Sequence, residues 1–332
     1  MICKTKIDLK INKYMQPIIC IGEALIDMIC SDKGKTLEAG ENFVKKTGGA
    51  PTNVAAAIAA LGGQVTLAAK VGADPFGQQL IHTMKGFGVN THWMLSSKEH
   101  FTTFAFVSLK EDGERDFVFN RGADGHLMEE ELAGIFNNNS GIIHFGSATA
   151  FLPGQLQKTY FSLLKEAKER NYFISFDPNY RHLLFAHTQQ SFVEQSLQFI
   201  KACHFFKVSD EEAMLLSQKK SVSEAAIWLS EFSNAIFCIT LGKEGTLLSI
   251  HHQQFNIPSI SVEVIDTTGA GDAFVGAVLY QLSCIKTNDL TQLNLQQWQE
   301  IISNANKAGA RTCAYMGAME ALKHLNKEIF KS

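Results

Sequence analysis

Residues 266–274 read DTTGAGDAF. Three residues with almost no side chain, Gly269, Ala270 and Gly271, stand directly ahead of a carboxylate, Asp272. The apolar positions that follow, Phe274, Val275, Val278, Leu279 and Leu282, fall on one helical face. SVEVID (261–266) alternates as a strand should, so the spacing predicts a strand-to-helix corner with Asp272 in the first helical turn. Such a corner presents unpaired backbone N–H groups and the positive end of the helix dipole, with no Cβ larger than a methyl in the way, and so suits an oxyanion. A carboxylate beside a resting phosphate is repulsive, but it is useful when a hydroxyl must lose its proton while attacking the neighbouring phosphorus. In phosphoryl transfer the protein mainly positions the groups in line and stabilises charge together with Mg²⁺, and an Asp suffices as base. The pattern points to a kinase. The plainer alternative is that Asp272 only stabilises its helix terminus.

Other phosphate-binding patterns are missing. The sequence has no G-x-x-x-x-G-K-[ST], Phe274 stands where a dinucleotide fingerprint needs its third small residue, and there is no H-R-D or D-F-G set. A second glycine-rich corner does occur, TGGAPTNVAAAIAALGG (47–63). Gly48 and Gly49 precede a helix that Pro51 opens and Gly62 and Gly63 close, and its alanines make it slim enough to lie close against a sheet. Taken alone, that segment is equally a well-formed helix with permissive turns. Lys243 reads as a solvated charge as readily as a ligand, and His144, inside an apolar strand, reads as a hydrogen-bonded core histidine.

The elements that must position these residues alternate along the chain. Apolar runs of strand length recur at 17–29, 64–72, 141–148, 172–179, 204–209 and 235–242, and their continuous hydrophobicity implies strands covered on both faces. Amphipathic helical segments such as 156–171 and 223–232 lie between them. The alternation predicts an α/β fold, a three-layer αβα sandwich around a mostly parallel central sheet. Two stretches break the rhythm. FTTFAFVSLKEDGERDFVFNR (101–121) reads as a β-hairpin turning at Glu111–Glu114, and GENFVKKTGG (40–49) as a short strand. Together they predict a small β-sheet lid, formed from about 27–47 and 92–121, near the strand ends where open α/β sheets bind ligands. An ordinary meander packed on the side is the alternative.

Composition narrows the class. The 332 residues are 45% hydrophobic with a formal charge of −3, and the basic residues are scattered, which argues against nucleic-acid and membrane partners. Seven cysteines are widely spaced with no C-x-x-C pair, as expected of reduced thiols in a cytoplasmic protein. Lysines interrupt the N-terminus, and residues 1–15 read as a disordered arm or as the product of a start codon upstream of Met15, ahead of one domain over 16–325.

Taken together, GGAPTNVAAAIAALGG and DTTGAGDAFVGA resemble the two signature regions of the ribokinase/PfkB family of carbohydrate kinases, and the similarity extends from Ile18 to Leu322. Within the family the chain looks most like the fructokinases, with IGEALIDMI, KVGADPFG, TTFAFVSLKEDGERDFVFNRGAD, FDPNYR and KVSDEE in the expected order. The resemblance implies roles. Asp272 is the expected base for the sugar's primary hydroxyl, with the amides of Gly269, Ala270 and Gly271 as the anion hole. Asp27, Gly48, Gly49 and Asn53 are expected to hold the sugar, Phe119 and Arg121 to cover it, and Arg181 to approach phosphate or substrate oxygens. On the nucleotide side it implies the loop Thr240, Gly242, Lys243 and Gly245 under ATP, Asn304 and its neighbours facing adenine, and Ser209 in place of the family's usual Asn. Glu212 is expected to organise Mg²⁺ through water, and Asp266, Thr268, Thr312, Tyr315 and Gly317 to surround K⁺, although CAYMGAMEAL lacks the family's usual proline there.

The expected activity is transfer of the γ-phosphoryl of Mg·ATP to the C6 hydroxyl of D-fructose. The alternatives are the same chemistry on 2-keto-3-deoxygluconate, a riboside or tagatose, a catalytically idle sugar-binding regulator, and a dinucleotide oxidoreductase. The exposed edges of a lid sheet also predict a homodimer formed through the lid.

Overall fold

The computed structural model describes residues 15–109, 115–138, 140–285, 290 and 292–331. The proposed arm at 1–15 falls outside this range except for Met15, as does the hairpin turn at Glu111–Glu114. In chain order the strands are β1 (Ile18–Ile21), β2 (Leu25–Cys30), β3 (Phe43–Gly48), β4 (Val65–Gly72), β5 (Met94–Ser97), β6 (Thr103–Leu109) and β7 (Arg115–Asn120). They continue with β8 (Ile142–Phe145), β9 (Phe173–Phe176), β10 (Phe205–Ser209), β11 (Ile236–Thr240), β12 (Thr246–Ile250) and β13 (Gln253–Ile257). Nine strands form one sheet in the order β13-β12-β11-β10-β9-β8-β1-β4-β5, parallel except for the β12–β13 edge.

Helices cover both faces. On one side lie α1 (Ala50–Ala60), α2 (Pro75–Phe87), α8 (Ala270–Ser283) and the helix Leu295–Thr312. On the other lie α3 (Gln155–Glu169), α5 (Gln189–Ala202), α6 (Asp210–Ser217) and α7 (Val222–Phe232), with the short α4 (His182–Phe185) before α5. β1 shows why its run is apolar throughout. Ile18 and Cys20 enter one core and Ile19 and Ile21 the other, as a strand buried on both faces requires. This is the predicted αβα sandwich.

The lid is a separate antiparallel and parallel sheet in the order β3-β2-β6-β7. Here the structure corrects three expectations. The run 17–29 is two strands, because the chain leaves the main sheet at Gly22, whose φ of 143° and whose approach to Ser147, 2.5 Å from any Cβ placed there, admit only glycine. Asp27 therefore lies in β2 of the lid, beyond the break in that run. The second lid segment begins at Thr103, since β5 pairs with β4 in the main sheet. Finally, SVEVID is not a strand: it pairs with no strand among the described residues, and the amides of Ile265 and Asp266 both donate to the Cys313 carbonyl.

Register sets the working face of the lid. Asp27 pairs with Lys46 and Ala105, and Ala105 with Phe119, so these four side chains share one face. The opposite face packs on α2 through an edge-to-face pair, Phe76 and Phe104, with ring centroids 4.9 Å apart.

Candidate active site

Helix α8 starts where expected. Its N-cap is Gly269 at φ 83°, with no side-chain cap, and a Cβ there would stand 2.5 Å from Ala318 Cβ. Glycine is thus demanded by both conformation and space. Asp272 follows in the first turn, buried, and its Oδ2 accepts from Asn53 Nδ2 at 2.8 Å. Burial pushes Asp272 up to about 6, helped by Asp177 and opposed by the Asn53 bond, Arg181 and Lys207.

The second corner meets the first. Helix α1 opens on Gly49 at φ 107°, with Pro51 in its first turn. A Cβ on Gly48 would come 2.1 Å from Asp27 Oδ2, so the backbone can approach that carboxylate only without a side chain. Burial raises Asp27 to about 6, and Arg181 opposes it. Arg181 is exposed, yet its charge acts on both Asp27 and Asp272. The structure therefore brings Asp27, Gly48, Gly49, Asn53, Arg181 and Asp272 together where lid and core meet. The expectation that α1 lies against the sheet is incomplete, because it also packs on α8: a Cβ on Gly276 would be 2.6 Å from Ala57 Cβ.

Two residues of the site were not assigned from sequence. Lys207, in β10, is buried and bonds Asp177 Oδ2 at 3.1 Å, and its Nζ lies 3.4 Å from the position of a Cβ on Gly271. Burial alone would lower its pKa, but Asp177, Glu212 and Asp272 hold it above the ordinary lysine value. The signal was available: a single cation inside the apolar strand FFKVS and an acid ending FISFD are costly to bury unless paired. His144 is the core histidine expected, with Nδ1 3.0 Å from Ser175 Oγ and burial pulling it down to about 3.

Glu212 and Ser209 form a reciprocal capping box at the start of α6, and Glu212 Oε1 also accepts from Tyr180 N at 2.8 Å. Among the described residues no three His, Cys, Asp or Glu side chains are placed to hold a metal. Asp177, Glu212 and Asp272 each act on Lys207 from separate positions. Of these, Glu212 and Asp177 are hard oxygen donors of the kind that would hold a hydrated Mg²⁺, which needs only one or two carboxylates with substrate phosphates.

On the other flank, Thr240 pairs with Ser209 across β10 and β11. The loop Gly242–Gly245 follows with φ 57° and 102° at its two glycines, Lys243 exposed, and Gly245 packed on the Ile257 carbonyl. Asp266 accepts from Thr268 N, Thr268 Oγ1 and Gly317 N at 2.9, 2.7 and 2.8 Å, and these bonds hold it below the usual carboxylate range against burial. Thr312 and Tyr315 are bonded to each other through Tyr315 N and the Thr312 carbonyl at 3.3 Å, and the intervening Cys313 carbonyl accepts from Asp266 N at 3.2 Å. The five residues suggested for K⁺ thus fall in one loop cluster beside the α8 N-terminus.

Two suggested ligands are occupied elsewhere. Asn304 is buried and donates to Gln281 Oε1 at 2.9 Å, so its amide is engaged between two helices. Arg121 donates to the carbonyls of Thr149 and Pro153 at 3.1 and 2.9 Å, which ties it to the root of the lid, whereas Phe119 does share the Asp27 face. No described helix is long and apolar enough to cross a membrane.

Comparison with known proteins converges on one group. The chain is 34% identical over 310 residues to a probable chloroplastic fructokinase-6 of Arabidopsis thaliana, covering 92% of this chain and 79% of that one. Its fold superimposes with TM-score 0.83 on a double-mutant fructokinase of Vibrio cholerae O395 bound to fructose, ADP and potassium, at 28% identity over 96% of this chain and 98% of the other. A fructokinase of Xylella fastidiosa with bound ATP gives TM-score 0.82 at 25% identity, covering 95% and 97%. Residues 15–325 match the pfkB family of carbohydrate kinases, and with both glycine corners, the buried acid and the lid in place, the chain belongs to that family.

Proposed function

We propose that this protein is an ATP:D-fructose 6-phosphotransferase. The observation that carries the reading is Asp272: a buried carboxylate on the first turn of a helix whose glycine cap lacks a side-chain partner, bonded to Asn53 of the sugar-side corner. The C6 hydroxyl oxygen attacks the γ-phosphorus, the bond to the ADP bridging oxygen breaks, and Asp272 accepts the hydroxyl proton. An acid raised to about 6 is still mostly ionised at neutral pH and is a better base than an ordinary Asp. Amides of the Gly269–Gly271 turn and the Lys207 ammonium face the migrating charge, and Asp177 keeps Lys207 in place. Asp27 and the Gly48–Gly49 backbone orient the sugar, while Phe119 and the lid exclude water. Mg²⁺ would neutralise the phosphates, held through water by Glu212 and Asp177, and K⁺ would sit at Asp266, Thr268, Thr312, Tyr315 and Gly317.

Support for fructose comes from the relatives: the plant and bacterial proteins above are fructokinases, and one of them holds fructose. The test is a panel of fructose, tagatose, 2-keto-3-deoxygluconate and a riboside, read by ADP release, with K⁺ or Na⁺ present. Fructose should give the highest kcat/KM. A higher value for the acidic sugar would transfer the reading to that substrate, with Arg181 as its cation, and no turnover on any sugar would leave only a binding role.

The lid face carrying Asp27 also carries Ile29 and Val44, 42% and 44% exposed. A second lid covering them gives a homodimer, which light scattering at two concentrations would detect. Free cysteines at all six described positions agree with a reducing compartment such as the cytoplasm.

A further inference from the structure

Glu23, in the turn between β1 and β2, is 1% exposed. Its partners among the described residues are all neutral donors. Oε1 accepts from Ala50 N at 3.0 Å and from Ala148 N at 3.4 Å, and Oε2 accepts the Ser147 hydroxyl. Burying an acid with no cation partner is costly, and here burial raises Glu23 to about 7 against the opposing hydrogen bonds. The phosphoryl-transfer chemistry described above makes no use of it.

Each bond leads to a different part of the sugar crevice. Ala50 is the first residue of α1, whose glycine N-cap supplies no side-chain acceptor, so Glu23 caps that helix from outside. Thr52 Oγ1 adds a bond to the Glu23 carbonyl at 3.0 Å. The corner held in this way carries Gly48 against Asp27, and one turn later Asn53 against Asp272. Through Ser147 the second oxygen reaches the lid. Ser147 Oγ accepts from Thr149 N at 3.2 Å, the Thr149 hydroxyl donates to Asp124 Oδ2 at 2.8 Å, and the other oxygen of Asp124 accepts from Thr103, the first residue of β6. Arg121, at the end of β7, lies 3.5 Å from the same Asp124 carboxylate.

We propose that Glu23 is a positioning residue for sugar phosphorylation, which locks the α1 corner and the root of the lid into one frame and so sets the geometry of the sugar crevice. The hydrogen-bond arithmetic requires an acceptor at both oxygens. Ser147 Oγ already accepts from Thr149 N and Ala150 N at 3.2 and 3.0 Å, so its own proton goes to Glu23. A glutamine at this position sets a donor against a donor in either amide orientation, against Ser147 or against Ala50. The near-isosteric change is therefore not neutral.

This inference rests on the sugar-kinase reading, and steady-state kinetics separate the two. Wild type that phosphorylates no sugar would defeat that reading, whereas an active wild type puts Glu23 itself to the test. For Glu23→Gln, kcat/KM for fructose should fall by about tenfold or more while KM for ATP stays within about twofold, because the misplacement is confined to the sugar side. Ser147→Ala removes only the branch toward the lid and should raise fructose KM about threefold, again sparing ATP. It also decides the matter if Glu23→Gln does not fold. Unchanged fructose kinetics in a folded Glu23→Gln or in Ser147→Ala, or equal losses on sugar and ATP, would overturn the assignment and leave Glu23 a support of stability alone.

Discussion

Two helices of this protein begin alike and end up with different tasks. Both α1 and α8 open on a glycine with positive φ, Gly49 at 107° and Gly269 at 83°, and neither glycine brings a capping side chain. At α1 the first amide is satisfied by a carboxylate from the neighbouring turn, Glu23. At α8 the first amide, Ala270 N, donates to the Thr267 carbonyl of its own turn at 3.2 Å, among the described residues no side chain caps the first turn, and the acid that follows, Asp272, points to Asn53 instead of back to the helix end. A helix end held by a carboxylate is a fixed part of the frame, whereas one that no acidic side chain neutralises is where the positive end of a dipole can act on a ligand anion. The same local sequence signal, glycines ahead of an apolar helix, is thus closed by a carboxylate in one place and, among the described residues, by no side chain in the other.

The largest effect should come from disabling the acid at the α8 corner. Asp272→Asn should keep the fold and the fructose affinity while kcat drops by about 10²–10⁴. Coupled ADP release together with a melting curve checks both halves, and turnover close to wild type would remove Asp272 from the role of base.

Next comes the glycine cap. Gly269→Ala meets both an unfavourable φ and the Ala318 side chain, and should cost about 1–3 kcal/mol of stability and most of the turnover. Gly62→Ala provides the contrast, since it has a similar φ of 93° with nothing within 4 Å of the new Cβ. It should cost about 1 kcal/mol and leave kinetics unchanged. Equal kinetic losses at both positions would mean that the α8 corner has no special role.

Because the base acts ionised and Asp272 is raised to about 6, kcat should rise with pH through about 6 and level off near neutrality. Asp27→Asn should retain that inflection in kcat. A flat profile from pH 5 to 7 would contradict the assignment.

The smallest effect is on stability. Asp27 and Asp272 are raised from about 4 when unfolded to about 6 when folded, so between these values the native state holds more protons than the unfolded one. Their contribution is fully present below the unfolded value and is lost as pH rises through the folded one. The ligand-free protein should lose Tm across this window, and Asp272→Asn, which cannot titrate, should show a shallower slope.

The residues themselves determined the layered α/β architecture, because runs such as PIICI and GIIHF are too apolar to face water on either side, and they determined both glycine corners and the acid in the first turn of α8. A continuous apolar run does not reveal a change of sheet, however. The break at Gly22, which moves Asp27 from the core sheet to the lid, depends on Ser147, far away in the chain. Contacts of that range were decided only in three dimensions: the Lys207–Asp177 pair beside Gly271, the engagement of Asn304 with Gln281, the anchoring of Arg121, and the reach of Glu23 from α1 to the lid. Local periodicity and turn chemistry are written in neighbouring residues, whereas the partner of a buried polar group is fixed by which elements the fold brings together.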